Sequence, residues 1–329
     1  HIEYMFAELT KVLEELGISF YGESIEEYGE GLNSKVYIAN SSVGKLIIHI
    51  VNCTSEHDLQ KIDKKIRLVG AKLQEQNAIP TAQIITAGRL AEGQVFLAQK
   101  FIDGTPLGKR DIVKGKIIDT YNVKKPEKYI VQWAQVILKI HSIKCERFGY
   151  IDVNIDANSE PLTGKYHSWF EYLETEAKRW LETLRTAEHL GEKYITNHQF
   201  GQFKLAINSL LQKNELLFDI KQGSLLHWDI VNPSNVLIKR GKISGIIDFE
   251  WCAIGDPLWD LVFSESRLQA KYSELSGIDT ETIRKKLLLY HPLWFLWGTN
   301  THLHRPEILN VCLNEFITGM EKARNAGMF

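Results

Sequence analysis

Between Leu226 and Glu250 the chain sets two carboxylates and an amide in polar turns beside short apolar runs. The first stretch reads Leu226-His227-Trp228-Asp229-Ile230-Val231-Asn232-Pro233-Ser234-Asn235-Val236-Leu237-Ile238, and the second Gly245-Ile246-Ile247-Asp248-Phe249-Glu250. These residue types are what transfer of a phosphoryl group needs. One carboxylate receives the proton of an attacking hydroxyl, while a second carboxylate and an amide oxygen hold magnesium against nucleotide phosphates. An ordinary hairpin with Asp and Asn in its turns would use the same residues, so the surrounding elements carry the decision.

Those elements read as α+β. Met5, Phe6, Leu9, Val12, Leu13 and Leu16 recur at helical spacing before Gly17. Strands are expected over 18–21, 35–39 and 45–51, with Ser41-Ser42-Val43-Gly44 turning the second into the third. A charged amphipathic helix follows over 55–76, ended by Asn77-Ala78-Ile79-Pro80, and then strands over 83–87 and 95–99. Phe101-Ile102-Asp103-Gly104-Thr105-Pro106-Leu107 breaks the pattern with a hinge-like Gly and Pro. Beyond it helices are expected over 129–140, 169–184, 200–211 and from Leu258 onward, interrupted by a strand pair around Asp229 and Asp248.

The composition bounds the class. The 329 residues are 44% hydrophobic and 24% charged, with a formal net charge of −2, as in an ordinary globular protein large enough for two lobes. Nothing in that balance suggests nucleic acid or a membrane surface as partner. No apolar run is long enough to cross a bilayer, and the amino terminus lacks a signal-peptide layout, so a cytoplasmic protein is expected. Cys53, Cys145, Cys252 and Cys312 are widely spaced and read as buried free thiols rather than a zinc site.

Taken in order, these segments resemble the aminoglycoside phosphotransferase family of small-molecule kinases. His227-x-Asp229 with Asn235-Val236-Leu237 resembles the family's catalytic loop. Ile246-Ile247-Asp248-Phe249-Glu250 resembles its metal-binding segment, and Gly255-Asp256-Pro257-Leu258-Trp259-Asp260-Leu261 its downstream signature. Leu138-Lys139-Ile140-His141-Ser142, then Phe148-Gly149, is similar to the helix end before the substrate region. The resemblance implies a two-lobed protein-kinase-like fold. Residues 1–102 would be a nucleotide-binding lobe built on a small antiparallel sheet, and 103–329 a helical lobe with the catalytic loop and acceptor region.

It also implies roles. Asp229 would take or orient the proton of the acceptor hydroxyl. Asn235 and Asp248 would hold Mg2+ against the phosphates of ATP or GTP. His227 would be structural, and Asp256 and Asp260 would tie down the catalytic loop. Asp229 and Asn235 lie six steps apart where the family has five. Asn232 is therefore an alternative metal ligand, although Asn235, like the family's Asn, directly precedes an apolar run. The extra residue would bulge within the loop, stiffened by Pro233.

The nucleotide lobe departs further from the pattern. Gly29, Gly31 and Ser34, within Tyr28–Tyr37, read as a glycine-containing loop over the phosphates or as a plain hairpin turn. The strand Leu46–Val51 carries His49 where the family has Lys or Arg, and no carboxylate lies in the helix window Lys64–Leu68. Lys35, Lys45 or a helix lysine could supply the charge, His49 could meet the phosphates itself, or phosphate binding could be weak. Gln99, Lys100, Phe101 and Ile102 would border the purine. For the acceptor, Glu171, Glu174, Glu176 and Glu182 interleave with Lys178, Arg179 and Arg185 and read as a solvated helix face. The aromatic run Tyr290–Trp297 reads mainly as core; Glu250, Trp251, Trp294 and Trp297 are candidate pocket residues for an aminoglycoside, macrolide, sugar or amino alcohol. A catalytically silent nucleotide-binding protein is the competing reading.

Overall fold

The computed structural model describes residues 2–15, 17–30, 34–52, 56–75, 81, 83–90, 94–154 and 162–329. By contact the chain divides into two units. The first takes residues up to Thr105, Val153 with Asn154, and Ser244–Glu250; the second takes Pro106–Asp152, 162–243 and Trp251–Phe329. A single cut after residue 102, as expected from sequence, would leave Asp248 with the second part; by contact it belongs to the first.

The first unit opens with helix α1 (Ile2–Glu15). Leu9 and Leu13 on its apolar stripe are fully buried. Gly17 ends it in the left-handed region (φ +76°), and Ile18 N–H donates back to Leu13 C=O at 2.9 Å. Strands β1 (Phe20–Glu30), β2 (Ser34–Ser41), β3 (Gly44–Asn52), β4 (Ile84–Arg89) and β5 (Gln94–Lys100), with helix α2 (Glu56–Glu75) between β3 and β4, complete it. The sheet is antiparallel throughout, in the order β1-β2-β3-β5-β4. Alternation along β3 puts Leu46, Ile48 and Ile50 in one core with Leu9, Leu13 and Phe96, and so turns Ile47 and His49 to the opposite face.

At the junction stands the two-residue strand β6 (Thr105–Pro106). The second unit then departs from the helical pattern expected after the hinge. Strands β7 (Gly108–Val113) and β8 (Lys116–Tyr121) form a hairpin whose turn residues, Lys114 (φ +51°) and Gly115 (φ +72°), are both left-handed. That is the twist-matched two-residue turn of a tight β-ribbon. The order continues α3 (Ile130–His141), β9 (Lys144–Cys145), β10 (Phe148–Ile151), β11 (Gly164–Tyr166), α4 (Trp169–Thr186), β12 (Glu188–His189), β13 (Glu192–Lys193), α5 (Asn197–Lys213), α6 (Glu215–Phe218), β14 (Gly223–Leu226), β15 (Val236–Lys239), β16 (Lys242–Ile246), β17 (Ala253–Gly255), α7 (Ser266–Ser276), α8 (Thr280–Thr301) and α9 (Pro306–Asn325). Strand β16 carries the chain from the second unit back to the first.

The helices start where capping chemistry allows. Ser168 Oγ accepts from Glu171 N–H at 3.0 Å, Thr196 and Gln199 form a reciprocal capping box, and Asp279 accepts from Thr282 N–H at 2.8 Å. Trp169, Tyr172, Trp180, Trp228, Trp259 and Tyr290 are fully buried and form much of the core. Trp169 stacks on Tyr172 at 4.9 Å and donates its indole N–H to Tyr290 Oη at 3.0 Å. A second antiparallel sheet, β11-β10-β17-β14-β9, runs through this core. Its strand β14 ends at Leu226, directly before His227-Trp228-Asp229.

Cys145, Cys252 and Cys312 are buried and form no disulfide among the described residues, while Cys53 lies outside the described residues. Among the described residues no group of three or more His, Cys, Asp or Glu side chains is placed to hold a metal ion. Among the described residues no helix is long and apolar enough to cross a membrane.

Candidate active site

The loop after β14 hangs on a buried carboxylate. Asp260, 1% exposed, accepts His227 N–H at 2.8 Å on one oxygen and Trp228 N–H at 2.7 Å on the other. His141 Nε2 lies 3.1 Å from the same carboxylate, and His141 Nδ1 lies 2.8 Å from Tyr272 Oη. This network holds Trp228 at φ +82°, an unusual conformation for a bulky residue. The strain sits one residue before Asp229, where a fixed turn sets the direction of that side chain. Asp256, grouped with Asp260 in the sequence reading, does something different. It caps Leu258 N–H at 2.9 Å and accepts from Lys286 Nζ at 2.5 Å and Tyr290 Oη at 2.6 Å, so it anchors α8 rather than the loop. His227 is fully buried, and its Nδ1 accepts from Asp229 N–H at 3.4 Å.

The six-step spacing is absorbed by a short 3-10 turn, Pro233–Asn235, with Pro at its start. Asn232 caps this turn; its Oδ1 accepts from Ser234 N–H at 3.1 Å and Ser234 Oγ at 2.8 Å. Its amide nitrogen donates to Asp229 Oδ2 at 2.9 Å. Asn235, 5% exposed, donates Nδ2 to Asp229 C=O at 3.0 Å and to Asp229 Oδ2 at 3.2 Å. No described residue donates to Asn235 Oδ1. The two asparagines are thus distinguished: Asn232's oxygen is occupied within the loop, whereas Asn235's accepts from no described residue. A hard cation fits that oxygen.

The hairpin contributes a residue that the sequence reading missed. Arg110 on β7 forms a fork with Asp119 on β8, its cross-strand partner, through Nε–Oδ1 at 2.7 Å and Nη2–Oδ2 at 2.8 Å. Its Nη1 donates to Asp229 Oδ1 at 3.0 Å and its Nη2 to Val231 C=O at 3.4 Å, while the guanidinium lies over the Phe263 ring at 4.9 Å. Burial pushes the Asp229 carboxyl up from its ordinary range; Arg110 and the Asn232 amide pull it back. Burial alone would lower the Arg110 pKa, but Asp119 and Asp229 outweigh it, and the net direction is up. The hairpin sits close to the loop. A Cβ on Gly108 would stand 2.1 Å from Thr120 O and 3.0 Å from Pro233 Cβ, so only glycine fits there.

Beside this cluster Asp119, Tyr121, Trp133, Val231, Phe263 and Glu265 help line a cavity of about 240 Å³. That is below the size of drug-like pockets. The Tyr121 phenol is pushed up to about 12 by burial and by Glu265 and Asp119, so it stays protonated as a donor.

Asp248 belongs to the first unit. It is exposed and left-handed at φ +69°, a conformation Asp tolerates better than most residues but still at a cost. Lys65 on α2 donates its ammonium to Glu250 C=O, two residues beyond. The helix window without a carboxylate therefore places a lysine on the backbone of the proposed metal segment. Glu250 meets Lys65 through this main-chain oxygen.

The other nucleotide candidates lie on the first sheet. Gly29 pairs with Val36 next to a bulge in β1, so the expected loop is largely strand at that point; Gly31 lies outside the described residues, as does the side chain of Ser34 at the start of β2. His49 sits between Val36 and Leu97 in the middle of the sheet, and burial lowers its pKa. Gln99 pairs with Ile47 and Ile84. Phe101 donates its N–H to Lys45 C=O at 2.9 Å, and Lys45 Nζ lies 4.3 Å over its ring. Ile102 follows, half-buried.

Of the acceptor candidates in the second unit, Trp251 is 37% exposed and meets Trp297 edge-on at 5.3 Å. Trp294 contacts Trp297 at 5.4 Å, and Trp297 contacts Trp228 at 5.5 Å. Tyr290, Leu293, Phe295 and Leu296 of the same run are core. Glu176 departs from the solvated-face reading: it is 4% exposed and accepts from Tyr150, Tyr166 and Arg179. Glu174 and Glu182 pair with Lys178 and Arg185 on their own helix.

The profile of the Phosphotransferase enzyme family (APH) matches residues 24–271. The chain belongs to that family. No curated protein matches it. Among solved structures, aminoglycoside phosphotransferase APH(4)-Ia superposes with a TM-score of 0.69 at 14% identity, over 96% of this chain and 98% of that one. The GDP complex of wild-type aminoglycoside 2'-phosphotransferase-IIIa gives 0.64 at 17% identity, over 98% and 99%. A GDP and kanamycin complex gives 0.63 at 18%, again over 98% and 99%. At these identities the likeness is one of fold: an antiparallel-sheet amino-terminal region followed by a mainly helical part.

Proposed function

We propose that this protein is a magnesium-dependent phosphotransferase that moves the γ-phosphate of ATP or GTP to a hydroxyl of a small molecule. The observation that carries this reading is the Asp229 loop. A partly exposed carboxylate is fixed by Asn232, Asn235 and Arg110, and among the described residues none donates to Asn235 Oδ1. In this reading Asp229 orients the acceptor hydroxyl and receives its proton. Asn235 through Oδ1 and Asp248 through its carboxylate hold the magnesium, which when bound neutralises charge on the phosphates. The first unit, with Gly29, Gly31, Ser34, His49, Gln99, Phe101 and Ile102, binds the nucleotide; Trp251, Trp294, Trp297 and Glu250 contribute to the acceptor region. Solved proteins of this fold carry ADP with hygromycin B, or GDP with kanamycin, which supports a nucleotide and a polyhydroxylated acceptor here.

One observation favours a second reading, a silent nucleotide-binding protein. His49 stands where a permanent cation is expected, and burial favours its neutral form. Thermal-shift measurements with ATP and GTP, with and without magnesium, separate the two. Stabilisation that needs magnesium, together with label transfer from nucleotide to an aminoglycoside, macrolide, sugar or amino alcohol, supports the enzyme. Stabilisation indifferent to metal, with no transfer and no phosphate release, supports the silent protein.

A further inference from the structure

We propose that Arg110, on the hairpin of the second unit, is a further catalytic residue that supplies positive charge to the phosphoryl group being transferred at Asp229. The inference rests on the phosphotransferase reading. A hydroxyl bound to Asp229 must lie within hydrogen-bond distance of that carboxylate, so the phosphorus it attacks arrives within a few ångströms of Arg110 Nη1. That nitrogen donates to Asp229 Oδ1 at 3.0 Å, and its second N–H is uncommitted among the described contacts.

The arrangement exceeds what the hairpin needs for its own cohesion. The fork to Asp119 already joins β7 to β8, yet the same guanidinium also reaches Asp229 and Val231. Its position is well defined, with Gly108 packed against Thr120 and Pro233 at one end and Phe263 under the guanidinium. A preorganised donor of this kind acts where charge develops without reorganising during the reaction. In the step, the acceptor oxygen forms a bond to the γ-phosphorus. The bond from phosphorus to the bridging oxygen breaks, and its electron pair leaves with the nucleoside diphosphate. The hydroxyl proton passes to Asp229, and Arg110 faces the negative oxygens of the group in transit.

The test compares Arg110→Ala, Arg110→Lys and Asp119→Asn with the unaltered chain. Two quantities are read: steady-state formation of nucleoside diphosphate from MgATP and MgGTP with water, kanamycin or hygromycin B as acceptor, and thermal stabilisation by MgADP with and without aluminium fluoride. Arg110→Ala should lower kcat roughly 10²–10³-fold with KM for the nucleotide within about threefold. It should keep the shift caused by MgADP but lose the additional shift caused by fluoride, which reports binding of a transition-state mimic. Arg110→Lys should fall between, and Asp119→Asn, which retains the cation, should stay within about tenfold of the unaltered chain. A folded Arg110→Ala or Arg110→Lys variant with unchanged kcat and an intact fluoride shift overturns the proposal. So does Asp119→Asn losing as much as Arg110→Ala, which would mark the cluster as purely structural. Failure of the phosphotransferase reading looks different: the unaltered chain itself would form no nucleoside diphosphate with any acceptor, whether or not MgADP stabilises it.

Discussion

Asp229 and its two asparagines give the most direct tests. Asp229→Ala should cut turnover by roughly 10²–10⁴-fold and leave magnesium-dependent stabilisation by nucleotide nearly intact, as a paired kinetic and thermal-shift measurement would reveal. The amide hydrogen bonds predict an asymmetry between the asparagines. Asn235→Ala should raise the magnesium needed for half-maximal activity by roughly 10–100-fold. Asn232→Ala removes a turn cap and should act mainly on stability, by about 1 kcal/mol. A magnesium titration in which Asn232→Ala shows the larger displacement would reverse the assignment. The sequence alone left this choice open because both asparagines flank the same proline; only the direction of each amide separates them. Arg110 was invisible for a related reason. It lies 119 positions before Asp229, and nothing local to either residue joins them.

At the scale of elements, the hairpin is the feature hardest to read from sequence, although part of its signal is there. Lys114-Gly115 sits between apolar β-branched residues, and folding about that pair places Arg110 opposite Asp119. Lysine rather than Asn or Asp at the first left-handed position weakens the cue. Lys114→Asn should therefore steady the turn by about 1 kcal/mol, observable as slower amide exchange in β7 and β8. Gly108→Ala should push the ribbon off the loop, since its added methyl overlaps Thr120 O. Activity should then fall by more than the melting temperature suggests. By contrast, α1, α2 and strands β2 to β5 were legible because their apolar spacing matches one buried face, as Leu46, Ile48 and Ile50 display; β1 was not, since the strand expected over 18–21 meets only the start of Phe20–Glu30. The short strands β9, β10, β11 and β17 were not, being two to four residues long and too short to display an alternating pattern.

For the molecule as a whole, acid sensitivity follows from histidines that folding keeps neutral. Burial holds His291 and His302 at about 4, below their ordinary 6.5, and the Glu315 carboxylate 3.5 Å from His291 does not reverse this. The unfolded chain takes up these protons first. Stability is therefore fully present above pH 6.5 and is lost as pH falls from 6.5 toward 4, by about 1–2 kcal/mol per histidine at pH 5. Denaturant midpoints at pH 7.5 and pH 5 should differ in that direction, and His291→Gln should flatten part of the slope. The ribbon that delivers Arg110 has its outer end in solvent: Ile112, Val113 and Ile118 are 38%, 45% and 40% exposed. A binder gripping that tip, or a protease clipping the peptide after Lys114, would tug on the guanidinium without touching the loop it serves. Such a handle would let an external agent throttle the reaction from the protein's surface.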